Sequence, residues 1–376
     1  METIKTYSFP RAGLLGNPSD GYFGKTLSFA FSDFGVELTL TESARLCFVP
    51  GEVDDATFSS PEEMIRDLRL YGYYGGIRLL KAVSKRFFEY CIKHDIVLPK
   101  RNFTASYKIN IPRLVGLSGS SAICTAMLKA LMKFYEVTIP LEYQPTICLE
   151  AEKEELRINC GFQDRVIQIY NGLVFMDFNK PFVEAHNHGI YERLDPSVFG
   201  VPGVPSRRGA DQAARLNLYI AYDAQRAEES GEAHKEVKRL FEAKNSDVLA
   251  AMSEFADIAQ KGRDLLVAGQ LECGVGVGER SRRFADLINA NFDLRDRIFH
   301  VAEENRRMVM TARSVGASAK FAGSGGAIVG TYEDDAQFAA LVHALGTIGC
   351  KTFRPTIATS DEAPEIRFAA ANWRNS

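Results

Sequence analysis

The feature that most restricts the fold of this chain is a change of period across a short Gly/Ser loop. Residues 103–109 alternate, with Phe103, Ala105, Tyr107 and Ile109 on one face, as a half-buried strand requires. A proline and the loop VGLSGSS (115–121) follow. Beyond it Ile123, Ala126, Met127, Ala130, Leu131 and Phe134 recur at the spacing of an amphipathic helix. A helix entered this way has first-turn N–H groups without internal partners, beside the positive end of its dipole. Glycine lets an anion approach that backbone, so the segment predicts a phosphate cradle. A plain helix entry with serine caps has the same look in sequence.

The remaining elements come in mixed order. TLSFAFS (26–32), VELTL (36–40) and RLCFV (45–49) read as antiparallel strands, and GLVFMDF (172–178) and LNLYIAY (216–222) as further strands. Ile77, Leu80, Val83, Phe87 and Cys91 mark the buried face of a helix. Long helical patterns cover 232–268 and 281–314, with CGVGVG (273–278) between them, and FAGSGGAIVG (321–330) is a second glycine loop feeding a strand. Without regular strand–helix–strand repetition, this favours the α+β class. FGVPGVPSRRGADQ (199–212), rich in Gly, Pro and charge, reads as a linker between two domains.

A net charge of −3 over 376 residues argues against a generic nucleic-acid binder, which carries a basic excess. Seven cysteines, scattered and without a CxxC pair, read as reduced thiols of a cytoplasmic protein. No apolar run reaches the roughly eighteen residues of a membrane span, and METIKTYSFPRAG lacks the apolar stretch of a signal peptide. Walker A, GxSxG and HExxH patterns are absent, and His186 and His188 read as a solvated loop rather than a metal pair.

Three segments, PRAGLLGNPSD (10–20), GLSGSSA (116–122) and KFAGSGGAIV (320–329), resemble in order and spacing the signature motifs of the GHMP kinases. AEKEELRINCGFQDRV (151–166) is similar to the family segment with a metal-binding glutamate and a catalytic aspartate. GYYGGIRLL (72–80), ANFDLRDRIF (290–299) and the stretches around the motifs resemble the plant-type glucuronokinase branch, whereas residues 200–280 are less recognisable. The resemblance implies a two-domain α+β fold, residues 1–205 and 206–376, with the ATP and substrate cleft between them. It also implies a sugar-1-kinase using ATP and Mg²⁺ on a small sugar acid, D-glucuronate first, with no nucleic-acid or membrane partner. Galacturonate, a heptose or a mevalonate-like acid as substrate, an ATP-dependent decarboxylase, and a non-catalytic sensor are the alternatives.

The resemblance also assigns residues. Gly116, Leu117, Ser118, Gly119, Ser120 and Ser121 would wrap the ATP phosphates, and Ser121 and Glu152 would bind Mg²⁺. Glu152 lies in a charged run with Glu150, Glu154 and Glu155, so by residue type alone it is equally a solvated helix residue. Asp164, beside Arg11, would remove the substrate proton or orient the hydroxyl, and alone it is also a carboxylate at a helix start. Asn17 and Asp20 would bond sugar hydroxyls. They stand where galactokinases have the Glu and Asp of GEHTD, and the change from Glu-His to Asn-Pro weighs against galactose. Tyr74, Gly75, Gly76 and Arg78 would close the sugar pocket, with Arg78 facing the carboxylate. Gly323, Ser324, Gly325 and Gly326 would support the phosphate loop.

Overall fold

In a computed structural model of the chain, residues 2–51, 54, 75–198, 216–223, 231–271, 277–299 and 301–360 are described. The linker expected at 199–212, the boundary at 205/206, Tyr74 and most of CGVGVG lie outside them. The described strands build three four-stranded sheets. The first has the order β1 (Thr3–Ser8), β4 (Val36–Ser43), β6 (Asn102–Ile109), β5 (Cys47–Phe48), antiparallel except for the β5–β6 pair. The second is an antiparallel run of β2 (Arg11–Leu15), β3 (Lys25–Ala30), β7 (Leu173–Asp177) and β8 (Ile190–Leu194). The third orders β10 (Lys320–Phe321), β11 (Ala327–Tyr332), β9 (Asn217–Asp223) and β12 (Cys350–Phe353).

The alternation in β6 does what the pattern predicts. Phe103, Ala105 and Tyr107 are buried, opposite Glu42, Leu40 and Leu38 of β4. Helix α1 (Gly76–Lys93) buries Leu79, Leu80, Val83, Phe87 and Cys91, and α2 (Gly119–Phe134) is buried on most of its surface between α1 and the first sheet. Short helices α3 (Gln144–Glu150), α4 (Gln163–Tyr170) and α5 (Lys180–His186) follow.

Each long helical pattern of the second half is two helices: α6 (Gly231–Glu242) and α7 (Ser246–Leu271), then α8 (Val277–Ile298) and α9 (Glu303–Ser314). The first break is chemical. Lys244 takes a left-handed φ of 57°, and the Asn245 side chain accepts from the backbone N–H groups of Asp247 and Val248, restarting the helix. Helix α10 (Asp335–Gly346) covers the third sheet through β12. One hydrophobic cluster runs from Leu15, Phe29 and Leu131 to Leu218, Phe255 and Phe284, so α7 and α8 pack onto the second sheet. That packing brings β2 and α4 to the same place as the loop before β11.

Candidate active site

After β6 the chain turns at Leu114, Gly116 and Ser118, whose φ values are 55°, 72° and 64°. It enters α2 at Gly119. These left-handed residues convert a strand into a helix within a few positions. Glycine at 116 is required twice over: its φ is positive, and a Cβ there would lie 2.7 Å from the Gly325 carbonyl oxygen. A Cβ on Gly323 would in turn run into the carbonyl oxygen of Gly116. The two glycine loops, more than two hundred residues apart in sequence, meet backbone against backbone.

Two buried arginines fix that meeting. Arg11 on β2 donates from Nη1 to the carbonyls of Gly116 (2.6 Å) and Ala322 (3.2 Å). Arg295 on α8 donates from Nη1 to Gly323 (2.8 Å) and from Nη2 to Ser324 (2.6 Å). Gly325 packs on the phosphate loop, and the Gly326 N–H donates to Asn305 (3.1 Å).

Arg11 also makes the central ion pair. Its Nε donates to Asp164 Oδ1 at 2.7 Å, and Ser118 Oγ donates to Asp164 Oδ2 at 2.8 Å. Burial works against a charged Asp164, but Arg11, Arg165 and these two hydrogen bonds outweigh it and hold the carboxyl below its usual value. Asp20 stands in the opposite balance. Burial, then repulsion from Asp164, raises it to about 6, although hydrogen bonding to the Gln163 backbone pulls the other way. Gln163 donates to Asp20 from its backbone and from Nε2, both at 3.1 Å, and accepts from Ser28 Oγ at 2.7 Å. Asp20 thereby caps the helix that carries Asp164.

A π-helical turn, Ala151–Glu155, separates Glu152 from its acidic neighbours. Glu152 points inward, fully buried, against Arg165 (Nε 2.6 Å, Nη2 2.5 Å), with Ser121 Oγ at 3.5 Å from Oε1. Glu150, Glu154 and Glu155 point outward to Arg86, and Glu155 also to Lys85. Asn17 is buried too, its Oδ1 2.5 Å from Lys320 Nζ, which also donates to the carbonyls of Gly13 (2.6 Å) and Phe321 (2.7 Å). Burial, with Arg295 and Arg11 nearby, pushes Lys320 well below the ordinary lysine value. Three oxygen acceptors nevertheless match the three donors of an ammonium, and we assign the charged form.

Arg11, Asn17, Asp20, Arg78, residues 116–121, Glu152, Asp164, Gly323 and Ser324 line one cleft of about 540 Å³. Gly75 and Gly76 do not line it. They pack against Asp54, and Gly76 also against the Tyr107 hydroxyl. Arg165, Gln163, Arg295 and Lys320 are structural partners of the site that sequence reasoning missed. Arg165 follows Asp164 directly, but residue type does not reveal that it is buried. No three His, Cys, Asp or Glu side chains among the described residues are grouped to hold a metal, and no described helix is long and apolar enough to cross a membrane.

Residues 78–172, which contain the loop, Glu152 and Asp164, match the GHMP kinases N terminal domain. Glucuronokinase 1 of Arabidopsis thaliana is 40% identical over 332 residues, 87% of this chain and 84% of the relative. Among solved structures, Lactococcus lactis galactokinase complexed with galactose superposes with a TM-score of 0.69 at 15% identity, covering 96% of this chain and 95% of that one. Streptococcus pneumoniae phosphomevalonate kinase gives 0.66 at 12%, covering 94% and 100%. At such identities these structures speak for the fold, and it is the α+β fold of the GHMP kinases. Fold and matched domain define a kinase of the GHMP class, whose members use ATP, and the 40% identity to glucuronokinases over most of the chain makes it a sugar kinase. Within that class, the chain belongs to the glucuronokinase family.

Proposed function

We propose that the protein transfers the γ-phosphoryl group of ATP to the anomeric hydroxyl of D-glucuronate, giving ADP and D-glucuronate 1-phosphate. The observation that carries the substrate is the 40% identity to Glucuronokinase 1 across 87% of the chain. The chemistry is supported by the Arg11–Asp164–Ser118 arrangement beside the phosphate loop. In the reaction the sugar O1 attacks the γ-phosphorus, the bond from that phosphorus to the β,γ-bridging oxygen breaks, and the O1 proton passes to Asp164 late in the transfer. Asp164, held ionised, accepts the hydroxyl's hydrogen bond and aims O1. Its depressed pKa makes it a weak base, so orientation carries more of its effect than early proton removal. The loop 116–121 and the dipole of α2 receive the phosphates, and Arg11 offsets charge at the attacking oxygen. Asn17 and Asp20 border the acceptor's side of the cleft, and Gly323 to Gly326 hold the loop in place.

Ser121 and Glu152 fit a Mg²⁺ site completed by phosphate and water. They offer one hydroxyl and one carboxylate oxygen facing each other, while Arg165 occupies the other carboxylate oxygen. When bound, the ion supplies charge neutralisation to the triphosphate. The division into domains of residues 1–205, with the loop and Asp164, and 206–376, with the second glycine loop, belongs to the same reading. So does a cytoplasmic setting, supported by six free cysteines among the described residues.

The test is an ADP-release comparison of glucuronate, galacturonate, glucose, galactose and mevalonate, with NMR of the product. Glucuronate is expected to exceed glucose in kcat/KM by on the order of 10-fold or more, the worth of one charged hydrogen bond to the carboxylate. Equal rates on the two sugars, or phosphate at a position other than C1, would overturn the proposal.

A further inference from the structure

Three carboxylates, Asp20, Glu152 and Asp164, line the cleft, so an acid substrate needs a cation of its own there. The sequence offers Arg78, but its place in the fold argues otherwise. Arg78 sits in the first turn of α1, where Gly76 packs on the Tyr107 hydroxyl of β6, and β6 runs into Ile109 and the loop ahead of the phosphates. Arg78 and Arg113 line the cleft, as do Ile109, Ile111, Pro112 and Leu114 of the segment running from β6 into the phosphate loop, whose apolar side chains suit a nucleobase. Through the Gly76–Tyr107 contact α1 starts against the strand that leads into that segment, which argues for Arg78 on the nucleotide's side.

Other cations of the cleft are committed. Arg11 and Arg165 hold Asp164 and Glu152, Arg295 holds two loop carbonyls, and Lys153 lies over the Phe162 ring at 5.5 Å. Lys238 differs. It lines the cleft and is exposed, and it makes no hydrogen bond, ion pair or ring contact to another described residue. Its helix α6 is anchored one turn further on, where Phe241 packs edge-on against Tyr22 with ring centroids 4.9 Å apart. Tyr22 ends the turn Ser19–Tyr22 that holds Asp20, and Asp20 is bonded to Gln163, next to Asp164. Lys238 thus stands beyond Asp20, on the acceptor's side of the reacting hydroxyl. In glucuronate the carboxylate is carried on C5, across the ring oxygen from the anomeric carbon. A group reading it belongs beyond the sugar ring rather than beside the nucleotide.

We propose that Lys238 receives the carboxylate of the sugar acid and sets the preference for acid over neutral sugar. The inference rests on the sugar-acid reading above. It is tested with full-length Lys238→Met, Lys238→Arg and Arg78→Met, measuring glucuronate, glucose and ATP kinetics at several ionic strengths. Lys238→Met is expected to raise the glucuronate KM about 10-fold, the low end for a charged hydrogen bond because the lysine is exposed. The glucose and ATP KM values should stay within about twofold, as expected for a change confined to one exposed side chain. In the wild type the glucuronate KM should rise with salt, and Lys238→Met should flatten that rise, a signature that lost packing would not produce. Lys238→Arg should restore most of the affinity. A wild-type preference and salt dependence that persist in Lys238→Met overturn this inference alone, and so does their loss in Arg78→Met only. A wild type indifferent to the carboxylate overturns the substrate reading and this inference with it.

Discussion

Asp164→Asn separates geometry from charge at the centre of the site. The amide is nearly isosteric with the carboxylate. Its Oδ1 can keep the 2.7 Å bond from Arg11, and its Nδ2 can donate to Ser118 Oγ, because a hydroxyl accepts as well as it donates. No polar group is orphaned, so the phosphate loop should hold its shape and ATP should bind within about threefold of wild type, well under 1 kcal/mol. What disappears is the counter-charge of Arg11, a residue only 5% exposed. Breaking a buried pair from one side costs about 3–5 kcal/mol. The bonds Arg11 keeps to Gly116 and Ala322 place the loss at the low end, about 3 kcal/mol, still within the stability of an ordinary protein. Turnover should suffer more, with kcat falling about 10²- to 10⁴-fold as the charge that orients and polarises O1 is removed. Denaturant melts, ATP titration calorimetry and steady-state kinetics on one preparation give all three numbers. Wild-type kcat in a folded variant would refute the assignment of Asp164. Loss of ATP binding in step with kcat would mean that the aspartate only shapes the loop.

Two more perturbations follow from the same geometry. Asp20, raised to about 6 when folded against about 3.9 when unfolded, binds its proton more tightly in the folded state. Stability should therefore fall as pH rises from about 4 to 6, by about 3 kcal/mol at most, and then level off; Asp20→Asn should flatten that slope in urea titrations, and an unchanged slope would put the charge cost elsewhere. Gly323→Ala should raise the ATP KM at least about 10-fold, because its Cβ meets the Gly116 carbonyl and lies 2.9 Å from Arg11 Nη1. A Cβ on Gly119 meets only side-chain carbons of Ile109 and Ile111 at 3.5–3.9 Å, so Gly119→Ala should leave the loop-to-loop contact intact and raise the ATP KM less than Gly323→Ala; equal behaviour of the two variants in calorimetry would contradict the contact between the loops.

The parts of the fold that declare themselves by period were legible in the sequence: β6, the buried face of α1, and the loop into α2. Strand β1 was not. Its inward residues include Thr6 and Ser8, which are buried because Thr6 Oγ1 bonds the Ala126 carbonyl (2.8 Å) and Ser8 Oγ the Thr125 hydroxyl (2.5 Å). A strand whose inner face is polar and satisfied by a neighbouring helix shows no apolar alternation. The same limit applies to the site. Arg11 and Asp164 stand 153 positions apart, and only a resemblance across the whole chain pairs them on paper. In the run around Glu152, residue type gives four equal glutamates, and the choice among them is made by a π turn that no local pattern announces. Lys320 and Arg295 look like surface charges in sequence, because oxygens that satisfy them, on Gly13 and Asn17 and on Gly323 and Ser324, belong to segments remote in the chain.

The close approach of Gly116 and Gly323 has a consequence for inheritance. Neither loop has room for a side chain where it faces the other, so the two positions form one steric unit written in two distant stretches of the chain. A chimaera that takes residues around 320 from a distant cousin brings its own loop curvature, and that curvature has to clear a carbonyl it did not evolve beside. Recombination between such genes is therefore expected to succeed when both glycine segments travel from one parent and to fail when they are split. Fragments divided at 199–212 face the same requirement: the N-terminal piece carries every residue of the phosphate loop, yet the surface against which that loop is shaped arrives with the other piece.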